Sequence, residues 1–128
     1  MHHVFVTDAQ RRKSLAVVRS LGRKGIRVTA GEELKSALAF YSKYCHRAIV
    51  YPSPTKTPDL FIEWLIDHVK RNRYTAIFPT NEQTLTPIAQ HLTELSKYTT
   101  VPIAEYETYM KARDKRETLK IAIEHGIP

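Results

Sequence analysis

The sequence predicts an α/β fold, a three-layer open parallel sheet of four or five strands with helices on both faces. Short β-branched runs alternate with longer stretches whose apolar residues recur at helical spacing, a pattern typical of a parallel sheet covered by helices. The chain has 128 residues, of which 42% are hydrophobic, which suits one ordinary core. We therefore expect a single Rossmann-like domain over residues 1–128 with the order βαβ(α)βαβα.

The first βαβ unit spans the N-terminal segment. Residues 3–7 (HVFVT) form a compact strand, and Ser14 is placed to cap a helix over residues 15–24. Gly25 suits the left-handed position that follows a helix. Residues 26–31 (IRVTAG) then supply the second strand.

The third strand and the second long helix follow a less regular segment. Residues 34–45 read as a short helix or an irregular stretch, and residues 47–51 (RAIVY) read as a strand. Thr57 as cap with Pro58 at the first helical position is a strong start signal for a helix that runs to about residue 72. Its apolar positions predict a buried side: Phe61, Ile62, Leu65, Ile66 and Val69.

Trp64 lies on a flank of this second helix. Leu60 precedes it by one helical turn and offers an apolar surface. We expect Trp64 to be at least partly buried beside Leu60, rather than stacked on a nucleic-acid base.

The fourth strand, residues 75–79 (TAIFP), leads into a segment with a proline that constrains the next helix. A proline inside a helix loses a backbone hydrogen bond and clashes with the preceding turn. We therefore place the helix start at Thr86, with Pro87 at the first position and residues 80–85 in a loop.

The C-terminal part is expected to add a weak fifth strand over residues 99–103 and a short helix over residues 105–111. Asp114 with Glu117 has the spacing of a capping box and would start a last helix. Its buried side would comprise Leu119, Ala122 and Ile123.

Several function classes find no support in the composition. The single Cys45 cannot form an internal disulfide and reads as a small core hydrophobe, so we expect a reducing cytoplasm. No run reaches the roughly 18–20 apolar residues of a membrane span. The six histidines show no metal-ligand spacing, and we place His68 and His91 on helix surfaces. We therefore expect neither a membrane segment, nor a metal site, nor catalytic residues.

The net charge of +7 comes entirely from one part of the chain. The first fifty residues contain ten Lys or Arg and three acids, whereas residues 51–128 contain ten of each. An anion site is one interpretation, for nucleotide phosphate or a nucleic-acid backbone. The other, which we favour, is a solvated helix face with contacts to a neighbouring domain. No combined aromatic and basic motif supports nucleic-acid binding.

Two strand-end loops carry polar residues where an open parallel sheet binds ligands. The first, residues 7–14, contains Arg11, Arg12 and Lys13, which either hold an anion at a helix N-terminus or are simply solvated. It has no glycine, so a dinucleotide-binding turn is not expected.

The second strand-end loop presents Thr80, Asn81 and Glu82, a hydroxyl, an amide and a carboxylate in three residues. These groups can hold the amine or hydroxyl of a small substrate. Helix capping explains them equally well.

Five stretches in order along the chain resemble the N-terminal domain that precedes the nucleotide-binding part of ATP-grasp enzymes. They are SLAVVRSLGRKGIRV, SALAFYSKYC, YPSP, IFPTNEQTL and ARDKRETLKIAIEHGIP. The resemblance is closest to the branch of carbamoyl-phosphate synthase-like enzymes and carboxylate-amine ligases. In that family an Asp-Lys or Asp-Arg pair opens a helix that ends in Gly-Ile-Pro or Gly-Val-Pro, as Asp114-Lys115 and residues 126–128 do here.

The resemblance implies part of a ligase that uses ATP and Mg²⁺ to activate a carboxylate as an acyl phosphate for attack by an amine-type nucleophile. The ATP-grasp domain would follow Pro128, so the 128-residue chain alone would be inactive. The substrate would be a small carboxylate or amine, and a homodimer is left open. The alternative is a non-catalytic, flavodoxin-like module that binds a nucleotide or small ligand.

The resemblance also assigns roles to individual residues. Lys115 would contact the ATP phosphates. The loop of Thr80, Asn81 and Glu82 would border the acceptor pocket. Asp8 and Arg11 complete the expected substrate-binding set, although their loop lacks the glycines common in relatives.

Overall fold

The computed structural model describes residues 2–102, and they form a four-stranded parallel sheet. The strands are β1 (His3–Val6), β2 (Arg27–Glu32), β3 (Cys45–Val50) and β4 (Ala76–Phe78). Their order across the sheet is β3-β2-β1-β4, and every pairing is parallel. The fold class predicted from the sequence is confirmed.

α1 (Arg12–Arg23) connects β1 to β2, and α2 (Pro58–Arg71) connects β3 to β4. α3 (Glu82–Gln90) and the single turn α4 (Leu92–Leu95) follow β4. A 3-10 turn at Leu38–Tyr41 occupies the stretch predicted as a short helix or irregular segment.

The alternation of side chains along β1 explains the three layers, because successive residues of a strand point to opposite faces. Val4 and Val6 belong to a buried cluster on the α1 side, with Val18 of that helix. Phe5 belongs to the cluster on the opposite face, with Phe61 and other residues of α2. The sheet is therefore covered on both sides.

The start of α1 differs from the prediction that Ser14 caps it. The helix begins at Arg12, and Ser14 lies inside its first turn, fully buried. The Ser14 hydroxyl donates to the carbonyls of Thr7 and Asp8 at 2.8 and 2.6 Å, so it satisfies the end of β1 rather than a helix amide. At the other end of α1, Gly25 has a φ of 81°, which confirms the prediction that it takes the left-handed position after the helix.

The prediction that Pro87 stands at the first position of its helix was wrong. α3 begins at Glu82 and contains Pro87, and Asn81 is its cap. The Asn81 side chain accepts a hydrogen bond of 2.9 Å from the Glu82 N–H, and the Thr84 hydroxyl lies in hydrogen-bond range of the Asn81 carbonyl at 3.1 Å. These bonds at the N-terminus hold the first turn despite the backbone bond that Pro87 cannot make.

α2 begins as predicted, with Thr57 at the cap position and Pro58 after it. The Thr57 hydroxyl nevertheless donates to the Ser53 carbonyl at 2.9 Å and caps no helix amide. The predicted buried side is confirmed at four positions, and Ile66 is partly buried. The four buried residues are Phe61, Ile62, Leu65 and Val69.

Trp64 is partly buried, as predicted. Leu60, one turn earlier on the same helix, is 54% exposed. The indole stacks on His68, with ring centroids 4.6 Å apart and planes 12° from parallel, and it also meets Phe5 and Tyr51.

The prediction of a surface position was wrong for His68. Its Nε2 lies 2.7 Å from the Tyr74 hydroxyl, inside the aromatic cluster around Phe5. Burial, followed by the nearby charge of Arg47, lowers the pKa of His68 to about 4. His91, by contrast, is exposed.

Of the predicted fifth strand, residues 99–102 are described, and they form one bridge. Thr100 pairs in parallel with Ala76, and the Ile77 N–H donates to the Thr100 carbonyl at 3.0 Å. The short helix expected over residues 105–111 and the helix expected from Asp114 lie outside the described residues. Within residues 2–102, no helix has the length and apolar character to cross a membrane.

Candidate functional site

The strand order creates a switch point between β1 and β4. From β1 the chain moves outward through β2 to β3, then returns to place β4 on the other side of β1. The connections on either side of this point diverge to opposite faces, which opens a crevice at the carboxyl ends of the strands. The residues after β1, β2 and β4 are therefore where a ligand site is expected.

Asp8, the second residue after β1, is fully buried with a φ of 57°. Its Oδ2 lies 2.6 Å from the Thr7 hydroxyl and 2.5 Å from the Thr84 hydroxyl, and its Oδ1 accepts from Gln83 Nε2 at 2.8 Å. These donors compensate the buried carboxylate. Asp8, predicted to bind substrate, is thus engaged with the protein itself.

Tyr51 closes the other side of this turn. Its hydroxyl oxygen accepts a hydrogen bond of 3.0 Å from the Asp8 N–H. Burial, and secondarily the Asp8 charge, raises the pKa of Tyr51 well above its usual range. The phenol therefore stays neutral and acts as a fixed dipole under the Asp8 backbone.

Thr80 joins the end of β4 to β1. Its hydroxyl donates to the Thr7 carbonyl at 3.0 Å and lies 2.5 Å from the Ser14 hydroxyl, while its N–H donates to Thr7 Oγ1 at 3.3 Å. Asn81 caps α3, and Glu82 is an exposed residue at the first position of that helix. The predicted loop over residues 80–85, on which the case for Glu82 depended, is therefore replaced by a cap and a helical turn.

A cleft of about 230 Å³ lies beside this polar cluster. Three separate segments line it: the β1–α1 turn, the residues at the end of β2, and the first turn of α3. We call it the strand-end cleft, and its lining residues are Gln10, Arg11, Glu32, Glu33, Leu34 and Gln83. Of the residues predicted to bind substrate, only Arg11 is in this set, and Thr80, Asn81, Glu82 and Asp8 are outside it.

Glu32 is 3% exposed and shapes the floor of the cleft. Its Oε2 accepts from the N–H groups of Glu33 and Leu34 at 2.7 and 3.1 Å, and its Oε1 accepts from the Gln10 N–H at 3.3 Å. An acidic residue at the end of β2 is where dinucleotide folds bind ribose. Here the Glu32 carboxylate accepts hydrogen bonds from backbone N–H groups on both sides of the cleft, so its role is to hold the β1–α1 turn against the residues after β2.

Sequence reasoning did not name five of the lining residues, which are Gln10, Glu32, Glu33, Leu34 and Gln83. Gln10 and Gln83 lie in the two strand-end segments that the sequence singled out, whereas the end of β2 was not considered. Only the pairing of β1 with both β2 and β4 brings them together.

The described residues contain neither a glycine-rich turn for the phosphates of a nucleotide nor a cluster of metal ligands. The turn that would approach a pyrophosphate has no glycine between Thr7 and Gly22, and it carries the buried Asp8 carboxylate, which repels phosphate. Among residues 2–102, no group of three or more His, Cys, Asp or Glu could hold a metal ion. Lys115, predicted to contact ATP, lies outside the described residues.

The fold and the cleft define an open parallel α/β domain with its ligand crevice at a switch point. Solved enzymes share this fold over nearly the whole of this chain, so the α/β fold that the resemblance implies is confirmed. L-amino acid ligase from Bacillus licheniformis superposes with a TM-score of 0.73 at 14% identity, over 98% of this chain and 30% of that one. For glycinamide-RNase-transformylase T from Mycobacterium tuberculosis the TM-score is 0.66 at 13% identity, over 97% and 35% of the two chains.

The biotin carboxylase domain of a thermophilic 2-oxoglutarate carboxylase, bound to bicarbonate, gives a TM-score of 0.67 at 19% identity. It is matched over 98% of this chain and 28% of its own. The chain thus spans about a third of the length of these enzymes. No family model matches the chain, and neither does any curated protein sequence.

Proposed function

We propose that this chain is the N-terminal, substrate-side domain of an ATP-dependent ligase. The whole protein activates a carboxylate as an acyl phosphate and passes it to an amine-type nucleophile. The observation that carries the proposal is the strand-end cleft at the switch point of a domain whose fold recurs in L-amino acid ligase. Fold likeness at 14% identity supports the class of reaction, and the cleft supports the domain's part in it.

The proposal assigns substrate binding and ATP binding to two different parts of the protein. The described residues offer a small polar cleft with donors and acceptors, without a glycine-rich phosphate turn and without a cluster of three or more metal ligands. ATP and Mg²⁺ would bind to a domain after Pro128, with Lys115 reaching the phosphates. The 128-residue chain alone would therefore neither hydrolyse ATP nor form a bond. We place the ligase in the cytoplasm, and sedimentation analysis of the whole protein would decide whether it is a homodimer.

Trapping of the acyl phosphate tests the reaction class. The full-length protein is incubated with Mg-ATP, candidate carboxylates and hydroxylamine, which converts an acyl phosphate to a hydroxamate. We expect hydroxamate and ADP in equal amounts, dependent on the carboxylate. Carboxylate-independent ATP hydrolysis, or no turnover with any carboxylate, would contradict the proposal.

Two substitutions test the division of labour. Lys115→Ala should weaken ATP use with every acceptor, because it removes a point charge from the phosphates. Arg11→Ala, in the lining of the strand-end cleft, should raise the KM of the acceptor and leave that of ATP unchanged. Arg73→Ala, exposed before β4, is the control. Equal effects of Lys115→Ala and Arg11→Ala on both substrates would remove the proposed assignment.

A further inference from the structure

The strand-end cleft contains two opposite charges that do not pair with each other. Arg11 and Glu33 both line it, yet the ion pairs found within residues 2–102 are Arg71–Asp67 and Lys97–Glu94. The guanidinium and the carboxylate therefore face one space at a separation larger than an ion pair. A ligand that carries both charges can bridge them.

The other polar groups of the cleft divide into those already used and those available. The Glu32 carboxylate is taken by three backbone amides. Gln83 donates its amide nitrogen to Asp8, which leaves its carbonyl oxygen as an acceptor. Gln10 accepts from the Leu38 N–H through Oε1, which leaves its amide nitrogen as a donor.

The available groups thus form two sets. Arg11 and the Gln10 amide nitrogen are donors that suit a carboxylate, and a guanidinium can bind one through two parallel hydrogen bonds. The Glu33 carboxylate and the Gln83 carbonyl oxygen are acceptors that suit an ammonium. A lone anion or a lone cation would leave one of the two charges without a partner.

The size and the polarity of the cleft further restrict the ligands that it can bind. The volume of about 230 Å³ is below the roughly 300–1,000 Å³ of sites for drug-sized ligands. Leu34 is 50% exposed and is the apolar side chain of the lining. A small molecule with an apolar side chain would cover it.

We propose that the strand-end cleft binds a free α-amino acid, with its carboxylate on Arg11 and its ammonium on Glu33 and Gln83. The amino acid's role as a ligase substrate rests on the proposed function, whereas the binding itself does not. Because each charge meets its own partner, loss of either charge from the ligand should weaken binding roughly tenfold to a hundredfold, the range of one charge-assisted hydrogen bond.

Backbone NMR titration of the ¹⁵N-labelled 128-residue chain tests this inference. The probes are L-alanine and L-leucine, with 4-methylpentanoate and 3-methylbutylamine as leucine analogues that lack the ammonium or the carboxylate. We expect both amino acids to shift the amides of residues 10–11, 33–34 and 83. Each analogue should bind at least tenfold more weakly than L-leucine.

Matched variants locate the two charges. Arg11→Met and Glu33→Gln should each weaken L-leucine binding at least tenfold, whereas the neighbouring Arg12→Met and the distant Glu63→Gln should leave it unchanged. Arg12 and Glu63 are exposed and outside the cleft. The same spectra report that each variant is folded.

Three outcomes would overturn the inference: no shift at the cleft with either amino acid, equal binding of L-leucine and 4-methylpentanoate, or equal losses for Arg11→Met and Arg12→Met. These are separable from a failure of the proposed function. If L-leucine binds as described but the full-length protein forms no hydroxamate, only the ligase assignment fails. If the full-length protein forms hydroxamate but no amino acid shifts the amides of the cleft, only this inference fails.

Discussion

The Thr84 hydroxyl donates a 2.5 Å hydrogen bond to the buried carboxylate of Asp8, 76 residues earlier in the chain. This bond joins the first turn of α3 to the turn after β1. Gln83, the residue before Thr84, reaches the other oxygen of the same carboxylate. The two sides of the strand-end cleft are therefore held by one buried anion.

Thr84→Val should destabilise the fold by about 1–3 kcal/mol, because it removes a donor from a buried carboxylate while keeping the shape of the side chain. Urea unfolding at pH 7 measures the change. Thr93→Val, at an exposed position of α4, is the control and should stay within about 0.5 kcal/mol of the parent. Equal stabilities of the two variants would mean that the Asp8–Thr84 bond contributes nothing.

The sequence was informative where the signal is local. The alternation of apolar runs placed β1, β2 and β4 to within one or two residues, and Thr57-Pro58 placed the start of α2. Such features depend on neighbouring residues alone, through strand propensity and the fixed φ of proline.

Hydrogen bonds made by side chains account for the errors in the two helix starts. The rule that a proline starts a helix was outweighed at Pro87 by the Asn81 cap and by the Asp8–Thr84 bond. The same applies to Ser14, whose hydroxyl serves the end of β1 rather than its own helix. Of the residues that line the cleft, the sequence analysis named only Arg11. Strand pairings bring the other residues together, and a local sequence pattern does not show these pairings.

Trp64→Ala should cost about 2 kcal/mol, less than the ~3–5 kcal/mol expected for a fully buried aromatic, because the side chain is only partly buried. Chemical unfolding provides the measurement. Leu60→Ala, one turn earlier and 54% exposed, should cost less than half as much. A larger loss for Leu60→Ala would mean that Leu60, and not Trp64, contributes most of the stability on this flank of α2.

Stability should fall in acid because of His68. The pKa of His68 is about 4 in the folded protein, and its ordinary value is 6.5. Above pH 6.5 the imidazole is neutral in both states, so its full contribution is present. Between pH 6.5 and 4 the unfolded state takes up the proton first, so folding weakens, and below about pH 4 this loss levels off.

The size of the His68 effect should be about 1–2 kcal/mol, after allowing for the solvent screening of a half-exposed ring. Unfolding free energies of the parent and His68→Gln at pH 7, 5.5 and 4 measure it. The difference between the two unfolding free energies at each pH removes the contribution of His3, which both proteins contain. The pKa of His3 is also lowered, mainly by burial and then by Arg27. Parallel pH curves for the two proteins would show that His68 does not titrate in this window.

Glu32 and Glu33 are adjacent in sequence, but substitution by glutamine should lower the stability of the fold only at Glu32. Glu32 is 3% exposed and both of its oxygens accept backbone N–H groups. In Glu32→Gln an NH₂ group replaces one acceptor and meets a donor, so we expect a loss of about 2–3 kcal/mol in urea unfolding. Glu33→Gln should change stability by less than about 0.5 kcal/mol, because Glu33 is only partly buried and makes no side-chain hydrogen bond within the described residues. Glu33→Gln should instead weaken amino-acid binding with an unchanged unfolding curve, and a destabilisation as large as that of Glu32→Gln would identify Glu33 as a structural residue.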